Sequence, residues 1–427
     1  MAFFSPSTQA VPAQAGTQGS TGPLLVVTVL FFMWGMLTAL NDVLIPHLKA
    51  VYTLSYVQAM LVQFCFFGAY FIVSLPAGAL IRRIGYQAGV VAGLGIAALG
   101  CLLFYPAAHS GYALFLIAFF VLATGITVLQ VAANPYVTIL GSAATASSRL
   151  TLTQAFNSLG TTVAPAIGGA LILTGAATSA GRPGLTNAAG LAAYRAQQAA
   201  AVQAPYLWLA AALLGLGLLF ACARLPRIAS RQEAGGGSLL GHRHLVLGAV
   251  GIFVYVGAEV SIGSFLINFI GEGRIAGLDP AAAAPYVSYY WGGAMLGRFV
   301  GFAVMRKVSP GLALAFNAAC SILLILAAVM GHGPAAMWAL LAVGLCNSIM
   351  FPTIFSMALH KLGPATGQGS GLLCMAIVGG AVLPFVQGLV ADAAGLQLSF
   401  LVPAACYLFI LYFGLKYAPM YRNGGAA

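Results

Sequence analysis

The sequence predicts an all-α membrane protein of twelve transmembrane helices, arranged as two pseudo-symmetric halves of six. Three observations predict this. The residues are 61% hydrophobic and 5% charged, with a mean hydropathy of +0.99, where a soluble domain carries about 25% charged residues. Twelve apolar runs reach the roughly 20 residues that a helix needs to cross a bilayer. The rare polar residues inside those runs also recur at one offset. Asp42 and Glu259, Gln130 and Asn347, and Pro135 and Pro352 are each 217 positions apart, which is the mark of a duplicated unit.

Residues 1–23 are rich in Ser, Gln, Gly and Pro and lack the basic start of a signal peptide, so a disordered cytoplasmic tail is expected. The first half, 24–223, holds runs at 24–46, 56–80, 86–106, 112–140, 150–174 and 205–223. Residues 224–243, basic and Gly-rich, read as the linker. The second half, 244–418, holds runs at 244–270, 284–306, 310–330, 335–359, 366–390 and 397–418, and 419–427 form a second tail. Membrane helices tolerate prolines such as Pro76, Pro135, Pro165, Pro352 and Pro384 where neighbours re-satisfy the backbone. With the N-terminus inside, Lys and Arg divide twelve against four in favour of the cytoplasmic loops. Both termini are therefore predicted to be cytoplasmic. The net charge of +11 sits in these short loops, which argues against a nucleic-acid partner. Seven scattered cysteines form no CxxC pair, so free thiols are expected.

The chemistry lies in the polar residues that the runs carry. The chain has only six acids, and two of them, Asp42 and Glu259, fall inside apolar runs. A charge at the bilayer centre costs roughly 2.5–3.5 kcal/mol even on the mildest scale, so such residues face a cavity and act there. They are the candidate ion-coupling pair. In the fourth run Gln130 and Asn134 are four apart and share a helix face, next to the backbone bond that Pro135 removes. In the fifth, Gln154, Asn157 and Ser158 share another face. Amides donate and accept at once, which suits sugar hydroxyls. Asn347, the repeat partner of Gln130, joins them as a candidate. So do Asn41 beside Asp42, Asn268 after Glu259, and Trp34, about 12 Å before Asp42 along a helix and able to stack on a pyranose ring. Arg82, Arg83, Arg298 and Arg306 are candidate gate residues. The bland alternative for those at helix ends is ordinary positive-inside anchoring.

The blocks WGMLTALNDVLIPHL, LQVAANPYVTILG, QAFNSLG, YVGAEVSIGSFLI and FPTIFSMALHKLG resemble the fucose/galactose/glucose symporter family of the major facilitator superfamily. The likeness runs over roughly 24–418 and is closest to the glucose/galactose branch. PAGALIRRIGYQAG is similar to the superfamily's loop between helices 2 and 3, without its usual acid. The resemblance implies a sugar–cation symporter working by alternating access, with Asp42 tied to coupling and sugar binding. The fucose branch carries a second acid in the fourth helix, in the pattern LETAANP, where this chain has Gln130. This chain has Glu259 in the seventh helix, where that branch has Gln, and Phe351 where that branch has Tyr. The resemblance thus implies that the second carboxylate has moved from the fourth helix to the seventh.

The function expected is import of a hexose, of the glucose, galactose, mannose or N-acetylglucosamine type, coupled to a proton or sodium. A sodium site would draw on neutral oxygens such as Asn41 or Ser261. The alternative is a drug/proton antiporter of the same fold, whose cavity would be poorer in amides. No HExxH, GxSxG or ligand cluster points to an enzyme, a metal or a cofactor. The expected partners are a sugar and the lipid bilayer, and the expected state is a monomer in a bacterial-type inner (plasma) membrane.

Overall fold

A computed structural model describes residues 21–52, 56–110, 112–168, 203–223 and 239–419, and gives the backbone path alone over 40–52 and 56–63. The predicted tails beyond these limits, the long loop at 175–202 and most of the linker lie outside the described residues. The described chain is helical and contains no strand. That is the expected outcome for apolar sequence in hydrocarbon, where every backbone N–H and C=O must find a partner within its own segment.

The first group of helices is α1 (Thr21–Tyr52), α2 (Tyr56–Ile84), α3 (Tyr86–Ser110), α4 (Tyr112–Ile139), α5 (Ala146–Gly168) and α6 (Gln203–Cys222). The second is α7 (Arg243–Gly271), α8 (Pro280–Val304), α9 (Pro310–Met330), α10 (Gly333–Asn347), α11 (Met350–Ala358), α12 (Thr366–Met375), α13 (Gly379–Ala394), α14 (Leu396–Ser399) and α15 (Leu401–Tyr417). Twelve stretches among the described residues thus match the twelve apolar runs, the last three in two pieces each. Pro310 opens α9 behind the Ser309 cap, whose hydroxyl accepts from Leu312 N. A proline is welcome at this first turn because it lacks an N–H that would be orphaned there. The tenth stretch breaks at Ser348–Ile349, between Asn347 and Met350.

Within the first group α3 packs on α4 and α6, α2 on α4, and α1 on α5. Within the second, α9 packs on α10 and α15, α8 on α10, and α7 on α13 and α15. The groups meet where α12 lies against α2 and α4, and where α5 lies against α8 and α11. Large apolar side chains such as Trp208, Phe316, Phe385 and Leu218 stand on the outside, as lipid contact requires. Eight of the described helical stretches are long and apolar enough to span a membrane, and two shorter ones lie at Gly22–Met36 and Tyr206–Cys222. Neither α5 nor α8 reaches that apolarity. These two polar helices pack on each other across the two groups.

Candidate functional site

Glu259 lies midway along α7, and a knot of buried hydroxyls surrounds it. Tyr255, one turn earlier on the same face, is within hydrogen-bonding reach of its carboxylate and donates to the backbone oxygen of Asn347 at 3.0 Å. Tyr290 of α8 donates to the backbone oxygen of Glu259 at 3.2 Å and accepts from Asn347 Nδ2 at 2.7 Å. Tyr407 of α15 donates to Asn347 Oδ1 at 2.6 Å. All three tyrosines and Asn347 are fully buried. Asn347 sits at the break between α10 and α11, so one residue ties α8 and α15 to that break through its side chain and α7 through its backbone oxygen. The sequence pattern offers Asn347 as a sugar ligand, but both its side-chain atoms are already bonded within the protein. Glu259 Oε1 has no partner.

Arg298 also acts electrostatically on Glu259 through its positive charge. Its bonds go elsewhere. Nε donates to Ser348 O at 3.2 Å, and Nη1 donates to Gln154 O at 3.5 Å and to the Ser158 hydroxyl. Grouped by sequence with the gate arginines, it lies deep between α8 and α5 instead. Arg82, Arg83 and Arg306 are exposed at helix ends. Arg306 covers the Phe302 ring at 5.2 Å. With its amide oxygen turned towards Arg82, Gln368 of α12 accepts from Nη1 at 2.9 Å and Nη2 at 3.3 Å. Around that end Ser147 and Ser356 hydroxyls bond at 2.6 Å, Ser148 donates to Phe302 O at 2.7 Å, and Ser370 donates to Val131 O at 2.9 Å. Each bond joins the first group to the second. Gly371 and Gly78 let α12 and α2 approach backbone to backbone there: a Cβ on Gly371 would lie 2.6 Å from Ser74 O.

The amides of α4 differ from Asn347. Asn134 is fully buried and neither of its side-chain atoms has a partner, and Gln130 Oε1, one turn away, is also unpartnered. Gln154 is buried on α5. Asn157 Nδ2 donates to Phe31 O at 2.9 Å, fastening α5 to α1. Trp34 is buried against Phe31, ring centroids 5.2 Å apart. Asn41 and Asp42 lie on α1, with their side chains outside the described residues. Asn268 stands apart. It is exposed at the far end of α7, beside a shallow 430 Å³ opening shared with Glu272.

The sequence reading did not pick out the three tyrosines. Tyr255 was within reach of it, four residues before Glu259 on one helix face. Tyr290 and Tyr407 carry no such spacing.

A Major Facilitator Superfamily profile matches residues 24–377. A protein named glucose/galactose transporter from Brucella abortus (strain 2308) is 56% identical over 421 residues, covering 97% of this chain and 99% of that protein. The L-fucose-proton symporter of Escherichia coli (strain K12) is 35% identical over 420 residues, covering 95% and 96%. The crystal structure of the E. coli fucose:proton symporter FucP superposes with a TM-score of 0.86 at 33% identity, covering 94% of this chain and 99% of that one. FucP solved in the outward conformation gives the same score over 93% of this chain. From its profile, its relatives and its fold, the chain belongs to the fucose/galactose/glucose symporter family of the Major Facilitator Superfamily.

Proposed function

We propose that the chain imports a hexose of the glucose/galactose type together with a proton, by alternating access between its two groups of helices. The observation that carries the sugar is Asn134. A buried amide with two donors and one acceptor unmet is costly. A hexose presents hydroxyls that donate and accept, so it answers both atoms and Gln130 Oε1 beside them. Gln154 on α5 and Trp34 on α1, both buried, are assigned to the same site. The Brucella relative's name fits this substrate class.

The proton reading rests on Glu259. Its free oxygen is surrounded by phenol hydroxyls already committed to Asn347 and Glu259 O, which leaves few neutral oxygens for a metal ion. Sodium takes several such ligands, and the Arg298 charge nearby repels it. A proton needs only the carboxylate. The E. coli relative is named as a proton symporter. Asp42, the repeat partner of Glu259, is assigned to the same work in the first half.

The cross-group bonds cluster at the end bearing Arg82 and Arg306, which the Lys/Arg count assigns to the cytoplasm. In this reading the structure is closed on that side, as in the FucP outward conformation. Residues 24–223 and 244–418 act as the moving halves, joined by 224–243, in a monomer within the inner membrane.

The test is counterflow in proteoliposomes against a hexose panel, with and without sodium, while internal pH is followed. Hexose-dependent acidification without a sodium requirement is expected. Asp42→Asn is expected to abolish concentrative uptake but keep exchange, Glu259→Gln to impair coupling or affinity, and Gln130→Ala to weaken binding while keeping coupling. Export of a lipophilic cation with no hexose exchange would establish the antiporter alternative instead.

A further inference from the structure

Arg298 is one of the residues through which the second group of helices holds the first. Its Nη1 reaches Ser158 and Gln154 O on α5, while Nε stays on Ser348 O at the α10–α11 break. The same guanidinium is the positive group acting on Glu259. Among the described residues, the other titratable groups facing Glu259 are Tyr255 on its own helix, Tyr290 on α8 and Tyr407 on α15. All three are phenols, and their bonds to Asn347 and to Glu259 O hold them in place. Arg298 is therefore the one cation of the set, placed between a carboxylate that acts on its charge and neutral acceptors on α5.

We propose that Arg298 is a positioning residue that converts the charge of Glu259 into a clasp on α5 and so blocks proton slip. The argument rests on Glu259 as the proton site. An ionised Glu259 competes for the guanidinium with neutral oxygens, and in a site shielded from water the attraction between two full charges exceeds that between a charge and a neutral oxygen. Arg298 is then drawn from α5, and the empty, deprotonated carrier is free to reorient. When Glu259 takes a proton from water on the open side, its pull is lost. Arg298 returns to Ser158 and Gln154 O, and the protonated but sugar-free carrier is held. A sugar bound between α4 and α5 offers hydroxyls to Ser158 and Arg298, replaces the clasp, and releases the loaded carrier. Tight coupling requires this pattern: the carrier crosses with both solutes or with neither. Only the proton moves, from external water to the Glu259 carboxylate and on to internal water.

The experiment compares two fluxes in the same proteoliposomes: proton entry under an imposed pH gradient without sugar, and hexose counterflow. Their ratio cancels differences in the amount of active protein. Ser158→Ala removes an acceptor on α5 and keeps both charges. Arg298→Lys keeps the charge and removes the fork. Each is expected to raise the ratio of sugar-free proton entry to counterflow about tenfold, the effect of one hydrogen bond to a charged group. Glu259→Gln is expected to show no sugar-free entry, alone or combined with Ser158→Ala. A wild-type ratio in both Ser158→Ala and Arg298→Lys, with wild-type sugar-driven acidification intact, overturns the clasp and leaves Glu259 as the proton site. Hexose counterflow in the wild type with no proton movement overturns the proton reading and the clasp together.

Discussion

Replacing Asn347 by Leu tests the buried knot around Glu259. Leu keeps the branched shape of Asn with two bulkier methyls, so the change is mainly one of hydrogen bonding, with some added crowding. Two bonds are lost, Nδ2 to the Tyr290 hydroxyl at 2.7 Å and Oδ1 from the Tyr407 hydroxyl at 2.6 Å. Side-chain bonds between membrane helices average about 0.6 kcal/mol, so the pair contributes about 1.2 kcal/mol. The Tyr407 hydroxyl then has no acceptor in a fully buried position, which adds about 1–3 kcal/mol. Tyr290 keeps its bond to Glu259 O, and Tyr255 keeps its bond to the backbone oxygen of residue 347. The expected loss is therefore roughly 2–4 kcal/mol. Adding Tyr407→Phe removes the orphaned hydroxyl and should return about 1–3 kcal/mol of it, because deleting both partners is milder than deleting one. The assay is thermal unfolding of the purified transporter for wild type, both single variants and the double variant, analysed as a double-mutant cycle. A double variant no more stable than Asn347→Leu, or a single variant as stable as wild type, refutes the reasoning.

Three further outcomes are expected. Gly344→Ala places a Cβ 2.1 Å from Tyr290 O, where only backbone can yield, so the yield of folded protein should collapse. Gly95→Ala on α3 meets nothing within 4 Å and should be neutral or stabilising by up to about 1 kcal/mol; detergent-solubilised yield and melting temperature distinguish the two. Gln368→Leu removes an acceptor of Arg82, so a cysteine label introduced near the Arg82 end should react faster from that side. Because that bond pairs a charge with a neutral amide, the change should depend only weakly on salt, and a strong salt dependence would argue for an ion pair instead.

What the sequence by itself determined is what depends on neighbours along the chain. Crossing a bilayer is a local requirement: about 20 apolar residues whose backbone bonds close within the segment. The run expected at 310–330 is the helix Pro310–Met330, and the run at 112–140 is Tyr112–Ile139. The isolated acid Glu259 and the amide pair Gln130 and Asn134 stood out because unlike chemistry inside an apolar run is visible without knowing any partner.

What only the tertiary structure decided is how distant residues satisfy one another. Asn347 and Gln130 hold matching places in the repeat, yet Asn347 is bonded to Tyr290 and Tyr407 while Asn134, one turn from Gln130, has unmet atoms. Arg298 looked like a gate charge because its residue type is that of Arg82 and Arg306; its place between α5 and Glu259 comes from how two polar helices pack. Asn157 reads as a cavity amide, and its Nδ2 donates to Phe31 O on α1. A hydrogen bond across helices depends on rotation and depth, and a membrane sequence specifies these only through contacts with residues tens to hundreds of positions away.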